Sequence, residues 1–344
     1  MSTTAGYFSE TNLQAQRAFA ETLMMDGRLK AENEPWFTSL KAILENQTMR
    51  FGALTRSDKD FTMEVEYAHF CQNNAGVYTS AQYCASVANE PSTNIKTFTL
   101  PAPLYDGFKL RQSVERSNDF DLQQLYATSR LGVERNLLQL LSQTIIANAI
   151  EGNLGDNVHT SGKGVVAGTV TSINSAYWNA NLVPDLMQTA TRNKFKRPYI
   201  LDSNNLYNAV MAAQINAGNA NGSGDARAFG LLKYYADLFN IDVINPADKV
   251  TYMIESDAIG VTSKSNLPNI TKANPKQVSA NEWRWSEPML LEPRLVLDVH
   301  YQIECDTATD EKVESYKFIL RYISAVNPTG CDGGNTGILK MVCA

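Results

Sequence analysis

Charge is scarce in this sequence. Charged residues make up 19% of its 344 residues, against roughly 25% in ordinary soluble domains. The 30 basic residues are outnumbered by 36 acidic ones, for a net charge of −6. That balance argues against a basic nucleic-acid-binding domain, and no block of like charge forms a basic arm or an acidic tail. Only three histidines occur, His69, His159 and His300. The five cysteines, Cys71, Cys84, Cys305, Cys331 and Cys343, are scattered. An odd, sparse set argues against a disulfide scaffold and fits a reducing compartment. Long hydrophobic runs are missing too. The uncharged stretch Asn136–Ile150 is 15 residues long and contains Asn, Gln, Ser and Thr, whereas a membrane-spanning helix needs about 20 mostly apolar residues. The first residues, MSTTAGYFSETNLQ, have neither the basic nor the apolar part of a signal peptide.

What is present is an apolar fraction of 44%, enough to bury a sizeable core, in a length that allows one large domain or two ordinary ones. Residues 1–57 read as a polar arm, with a loose helical pattern at Leu13, Ala20, Leu23 and Met24 and an apolar cluster at Trp36, Phe37, Leu40 and Ile43. Such an arm would hardly hold itself in place. FTMEVEY (61–67) alternates: Phe61, Met63, Val65 and Tyr67 face one way, Thr62, Glu64 and Glu66 the other. That is a half-buried strand. Extended sequence returns at 95–113, where Pro101 and Pro103 favour an exposed or edge position. The span 58–114 therefore reads as a loose hairpin. Its apolar face has no partner helix nearby in sequence, which points to a neighbouring subunit.

The clearest element is a helix over 119–150, with Ser117 or Asn118 as cap and Asp119 and Asp121 in its first turn. Leu122, Tyr126, Val133, Leu137, Leu141 and Ile145 mark its apolar face. It would run to roughly 45 Å. Its first half is charged and reads as solvated, its second half as buried. Further on, a helix is predicted over 185–193, a buried strand at RPYILD (197–202), and a helix from Ser203 to Asn216. A glycine-rich loop follows, with Gly218, Gly222 and Gly224. LLKYYADLF reads as a short helix, FNIDVINP and VTYMIES as strands, SDAIG as a small helix, and 262–292 as irregular. RLVLDVHYQIEC and ESYKFILRYISAV form a long antiparallel hairpin.

Motifs for chemistry are few. His69 and Cys71 share a strand face, but two ligands do not make a zinc site. His159-Thr-Ser-Gly-Lys163-Gly lacks the first glycine and the metal-binding hydroxyl of a phosphate loop. The loop of Gly218, Gly222 and Gly224 opens no dinucleotide fold. Glu64 and Glu66 read as solvated polar face rather than a catalytic pair, and His300 as solvated or in a contact between chains. A cysteine hydrolase using Cys71 or Cys84 has no matching local motif. No catalytic residue, metal ligand or cofactor site is predicted.

The order of elements resembles the major capsid proteins of tailed bacteriophages with the HK97-type fold. That order is a polar arm (1–57), an extended hairpin (58–114), a peripheral domain with spine helix (115–184), an axial domain (185–292) and closing strands (293–344). RPYILDSNNLYNAVMAAQIN, the glycine-rich loop and FGLLKYYADLFNIDVINP then VTYMIESDAIG look like the axial domain. The resemblance implies an α+β fold and a non-enzymatic role, self-assembly as hexamers and pentamers into an icosahedral head around DNA. It implies scaffolding, portal and decoration proteins as partners, no sequence-specific DNA binding, no membrane, and a virion location after synthesis in the bacterial cytoplasm. Inter-subunit contacts fall to Phe61, Met63, Val65 and Tyr67 of the hairpin and to Gly218, Gly222 and Gly224 at the capsomer axis. Relatives cross-link a lysine, an asparagine and a glutamate between subunits, and none of the three is assigned here. The short arm carries the expectation that no long scaffold segment is fused to the chain. An encapsulin-type compartment shares the fold and is the alternative. A tail-tube or fibre protein fits the long helix poorly.

Overall fold

The computed structural model describes residues 37–56, 60–68, 93–111, 122–155, 164–179, 182–203 except 194 and 196, 206, 233–327 except 247, 248, 268, 309 and 310, and 336–344. In chain order the elements are α1 (Thr38–Asn46), β1 (Arg50–Arg56), β2 (Phe61–Ala68), β3 (Thr93–Thr99), β4 (Leu104–Arg111), α2 (Leu122–Ile145), β5 (Gly164–Ala167), β6 (Val170–Ile173), α3 (Leu182–Arg192) and β7 (Tyr199–Asp202). They continue with β8 (Lys233–Ala236), α4 (Leu238–Ile244), β9 (Val250–Ile254), β10 (Ile259–Ser263), β11 (Lys276–Ser279), β12 (Glu282–Pro288), β13 (Val296–Asp306), β14 (Glu311–Leu320), β15 (Tyr322–Val326) and β16 (Ile338–Cys343). This is an α+β chain with several separate sheets. No described helix is long and apolar enough to cross a membrane.

A five-stranded antiparallel sheet, ordered β11-β12-β13-β14-β4, carries α2 on its inner face. Alternation along β13 sends Leu297, Val299 and Tyr301 inward, all fully buried. One register row runs Trp283, Tyr301, Tyr316, Phe108 across four strands. Its rings meet at 5.6, 4.9 and 5.1 Å, the spacing at which offset or edge contacts add stability beyond burial. Tyr126 of α2 closes on the row, 5.0 Å from Tyr316 and 5.5 Å from Phe108.

The helix α2 is buried at Tyr126, Val133, Leu137, Leu141 and Ile145, as its spacing predicts. It ends in a π-turn at Ile146–Ile150 and a 3-10 turn at Glu151–Asn153. There Asn153 Nδ2 donates to the Ala149 carbonyl at 3.0 Å, which satisfies an end group that the widened turn leaves open. Two charged residues of the half expected to be solvated are not. Arg130 and Glu134 are both buried, Arg130 paired with Glu134 and with Glu287 of β12.

The six-stranded sheet, β5-β6-β16-β9-β7-β8, is parallel only at β6/β16 and β7/β8. Its central strands β7 and β9 are buried along their whole length, covered on both sides. Ile200, Met253, Leu339 and Met341 pack with Leu182, Leu186 and Ala190 of α3. Tyr199, Leu201, Tyr252, Ile254 and Ile338 face the core that holds α1, α2 and α4.

Several sequence expectations are corrected. The segment 231–245 reverses both assignments: KYYA is β8, paired to β7, and LFNIDVI is the helix α4. Asp237 caps that helix, accepting from Asn240 N at 3.0 Å. SDAIG leads into β10 rather than a helix, and the irregular span 262–292 contains β11 and β12. The return strand is split at Arg321 into β14 and β15, which join different sheets. Residues 37–49 are not a loose arm. Phe37, Leu40 and Ile43 are in the main core, Ser39 is tied to Asp237, and Gln47 brackets Val261 through both its amide atoms, at 3.0 and 2.6 Å.

The hairpin is also redrawn. β2 and β3 pair in register from Thr62↔Thr99 to Ala68↔Thr93, and β1 adds a third strand. The second half of the 95–113 stretch leaves this sheet at the two prolines. It enters the body as β4, paired with β14.

Candidate functional site

The predicted contact residues are placed by β2. Met63 and Val65 are 1% and 0% exposed. They pack with Met49, Ile323 and Ala325 of their own chain, with Phe51, Leu54 and Phe98 alongside. The apolar face therefore has an intrachain partner, β15, which sequence proximity could not reveal, and Met63 and Val65 are withdrawn from the inter-subunit set. Phe61 is half-buried under the Arg321 guanidinium, 5.4 Å from its ring centre. The Tyr67 side chain, Gly218, Gly222 and Gly224 lie outside the described residues, as do His69, Cys71, Cys84 and His159.

Among the described residues no group of three His, Cys, Asp or Glu side chains is arranged to hold a metal ion. Cys305 is exposed and Cys343 half-buried, both as free thiols. His300 is half-buried in β13, opposite Arg284 and Lys317. Burial, followed by the Arg284 charge, holds it below the ordinary histidine range.

Two charge networks among the described residues bind α2 and the turns that follow it to distant strands. In the first, Arg130 Nε donates to Glu134 Oε1 at 3.0 Å and Arg130 Nη1 to Glu287 Oε1. Glu134 Oε2 accepts from the Leu290 and Leu291 amides at 2.7 and 3.0 Å. In the second, Lys340 Nζ meets both oxygens of Glu151 at 2.9 and 3.1 Å and Asn245 Oδ1 at 2.9 Å. Tyr252 donates to Glu151 and accepts from Asn245 Nδ2 at 2.8 Å. This cluster ties β16 to the end of α2 and to the C-cap of α4. Both networks join elements far apart in sequence, and the sequence reading missed both. An i,i+4 Arg/Glu pair looks like a solvated helix face unless its distant partner is known.

The surface features are the sheet edges. β3, β5 and β11 are each the last strand of their sheet. Each exposes one large aliphatic side chain, Ile95, Val165 and Val278, which are 65%, 72% and 46% exposed. Unpaired edge strands with apolar side chains are templates for pairing with another chain.

No family model matches the chain, and no curated protein matches it. Solved structures with similar folds include the capsid of a native GTA particle, at 10% identity, 90% of each chain and a TM-score of 0.45. The capsid of cyanophage P-SCSP1u follows at 10% identity, 84% of this chain, 85% of that chain and a TM-score of 0.44. The mature capsid of bacteriophage PhiM1 matches at 7% identity, 84% of this chain, 83% of that chain and a TM-score of 0.42. The chain is thus similar to capsid structures of phages and of a GTA particle.

Proposed function

We propose that the chain is a structural, non-enzymatic subunit that assembles with copies of itself into the icosahedral shell of a tailed phage around its DNA. In this reading the β1-β2-β3 sheet is the extended hairpin of an HK97-type fold, α2 its spine helix, and the five-stranded sheet its peripheral domain. The six-stranded sheet is the core of the axial domain, so β5, β6 and β16 join it from outside the expected 185–292, while β11 and β12 of that span go to the peripheral sheet; residues 217–226 would lie where copies meet at a capsomer axis. Scaffolding, portal and decoration proteins would be further partners, and the virion its location.

The observation that carries the reading is the set of three sheet edges with Ile95, Val165 and Val278 exposed. They belong to three different sheets, so the chain offers apolar pairing edges in several places. A shell subunit needs contacts on several sides, whereas a monomer blunts such edges with charge, bulges or cover. Sedimentation of the expressed chain tests this. The native chain should sediment as large particles. Val165→Lys with Val278→Lys should keep native circular dichroism and sediment as small oligomers. Unchanged particles from the double variant would remove these edges from the account.

A further inference from the structure

We propose that Lys340 and Asn245 join in an amide bond within one chain, formed by the folded protein itself with Glu151 carrying the protons and ammonia as the leaving group. The bond needs a single folded chain, so it does not rest on the shell reading.

Three elements bring the groups together. Along β16, Leu339 and Met341 face α3, while Ile338 faces the core that holds α2 and α4. Alternation puts Lys340 on the face of Ile338, opposite Tyr252 of β9 in register. The Lys340 side chain is only 12% exposed, so its amine is held away from bulk water. Asn245 is the C-cap of α4, its own N–H donating to the Ile241 carbonyl at 2.8 Å. Glu151 stands in the 3-10 turn that follows α2. Lys340 Nζ lies 2.9 Å from Asn245 Oδ1, so the amine meets the carbonyl end of the carboxamide. Glu151 Oε1 is 2.9 Å from Lys340 Nζ and 3.2 Å from Asn245 Nδ2. One carboxylate oxygen thus touches both the nitrogen that would attack and the nitrogen that would leave, which is the placement a proton carrier needs. Asn245 Nδ2 also donates to Tyr252 at 2.8 Å, and Tyr252 donates to Glu151. These contacts hold the carboxamide with its oxygen toward the amine. A plain ion pair between Lys340 and Glu151 would require none of the contacts to Asn245.

The step balances without an oxidant or co-reactant. Glu151 takes one proton from the Lys340 ammonium. The freed lone pair forms the bond to Asn245 Cγ, and the carbonyl π pair moves onto Oδ1. Glu151 gives its proton to Nδ2. The carbonyl re-forms, the Cγ–Nδ2 bond breaks, and Nδ2 leaves as ammonia. The surplus proton on the Lys340 nitrogen passes through Glu151 to the ammonia, which departs as ammonium. Groups held in contact react far faster than the same groups free in solution, and each chain has to react only once. The link would span 95 residues and restrain the unfolded chain as a disulfide of that span does.

The test is the mass of the full chain, incubated as folded protein and then denatured. The native chain should be lighter, by one ammonia, than the mass its sequence gives. Digestion should yield a branched peptide joining Asn245 to Lys340. In a mixture of isotopically light and heavy chains, each branched peptide should carry a single label. Lys340→Arg should keep the full mass with unchanged circular dichroism. Glu151→Gln should slow the bond's formation about a hundredfold or more, again with unchanged circular dichroism. The mass of the native chain decides even where a variant fails to fold. A native chain of full mass, with Asn245 and Lys340 in separate peptides, would overturn the proposal. So would a mass deficit without the branched peptide, a branched peptide of mixed label, or a bond that forms as fast in Glu151→Gln. None of these results bears on whether the chain forms shells.

Discussion

Arg130 and Glu134, one turn apart on α2, form a buried ion pair at 3.0 Å, and Glu287 of β12 completes it from the far side of the chain. Its outward contacts, Arg130 to Glu287 and Glu134 to the Leu290 and Leu291 amides, join α2 to the sheet. The Arg130 guanidinium also lies 5.2 Å from the centre of the Phe318 ring. Taking such charges out of water is costly, and removing one partner strands the others.

Arg130→Met should therefore destabilise the chain by about 3–5 kcal/mol. Arg130→Met with Glu134→Gln and Glu287→Gln should recover much of that loss, since the stranded charges go as well. Urea unfolding midpoints of soluble, unassembled subunits read both. Equal losses in the single and triple variants would show that packing, not charge, sets the cost.

Glu287 gives a pH signature. Burial pushes its carboxyl up, but the Arg130 charge, aided by Lys272, holds it below the ordinary glutamate value. A depressed carboxyl contributes stability that is fully present above its unfolded pKa and is lost as pH falls through the folded one. The stability gap between native chain and Glu287→Gln should thus hold at neutral pH and close in acid below the usual glutamate range. A gap that widens in acid would mean that Glu287 is neutral in the fold.

Leu137 and Leu141 lie in the buried stripe of α2, 1% and 0% exposed. Leu137→Ala should cost roughly 2–5 kcal/mol by the same measurement. Leu141→Asp should give insoluble protein, and normal folding of that variant would contradict the placement of α2.

The hairpin sheet is anchored through Met63 and Val65 on β15. Met63→Asp should detach it from its own chain, seen as early proteolysis between 50 and 100 in unassembled subunits. Replacing only 69–92 with a short Gly-Ser turn should leave β2, β3 and this anchor folded. Loss of native circular dichroism in that deletion would show that 69–92 supports the fold itself.

Local pattern made α2, β2, β7 and the β13–β14 hairpin legible, since each has strong periodicity or an unbroken apolar run. The reversal at 231–245 has a physical reason. KYYADLFNIDVI is too short and too evenly apolar for period to separate strand from helix, and the decision is made by β7 pairing with β8 and by Asp237 capping α4. The burial of Arg130 was invisible because its partner Glu287 is 157 residues away. The glycine-rich loop, which sequence composition marked most strongly, lies outside the described residues.

Electron microscopy of the full chain, expressed alone and with the scaffolding and portal proteins that the proposed function calls for, tests the central claim most directly. The account predicts closed, thin-walled shells with hexameric and pentameric units, at least when the partners are supplied. Monodisperse small oligomers under every condition, or open fibres in place of shells, would contradict it.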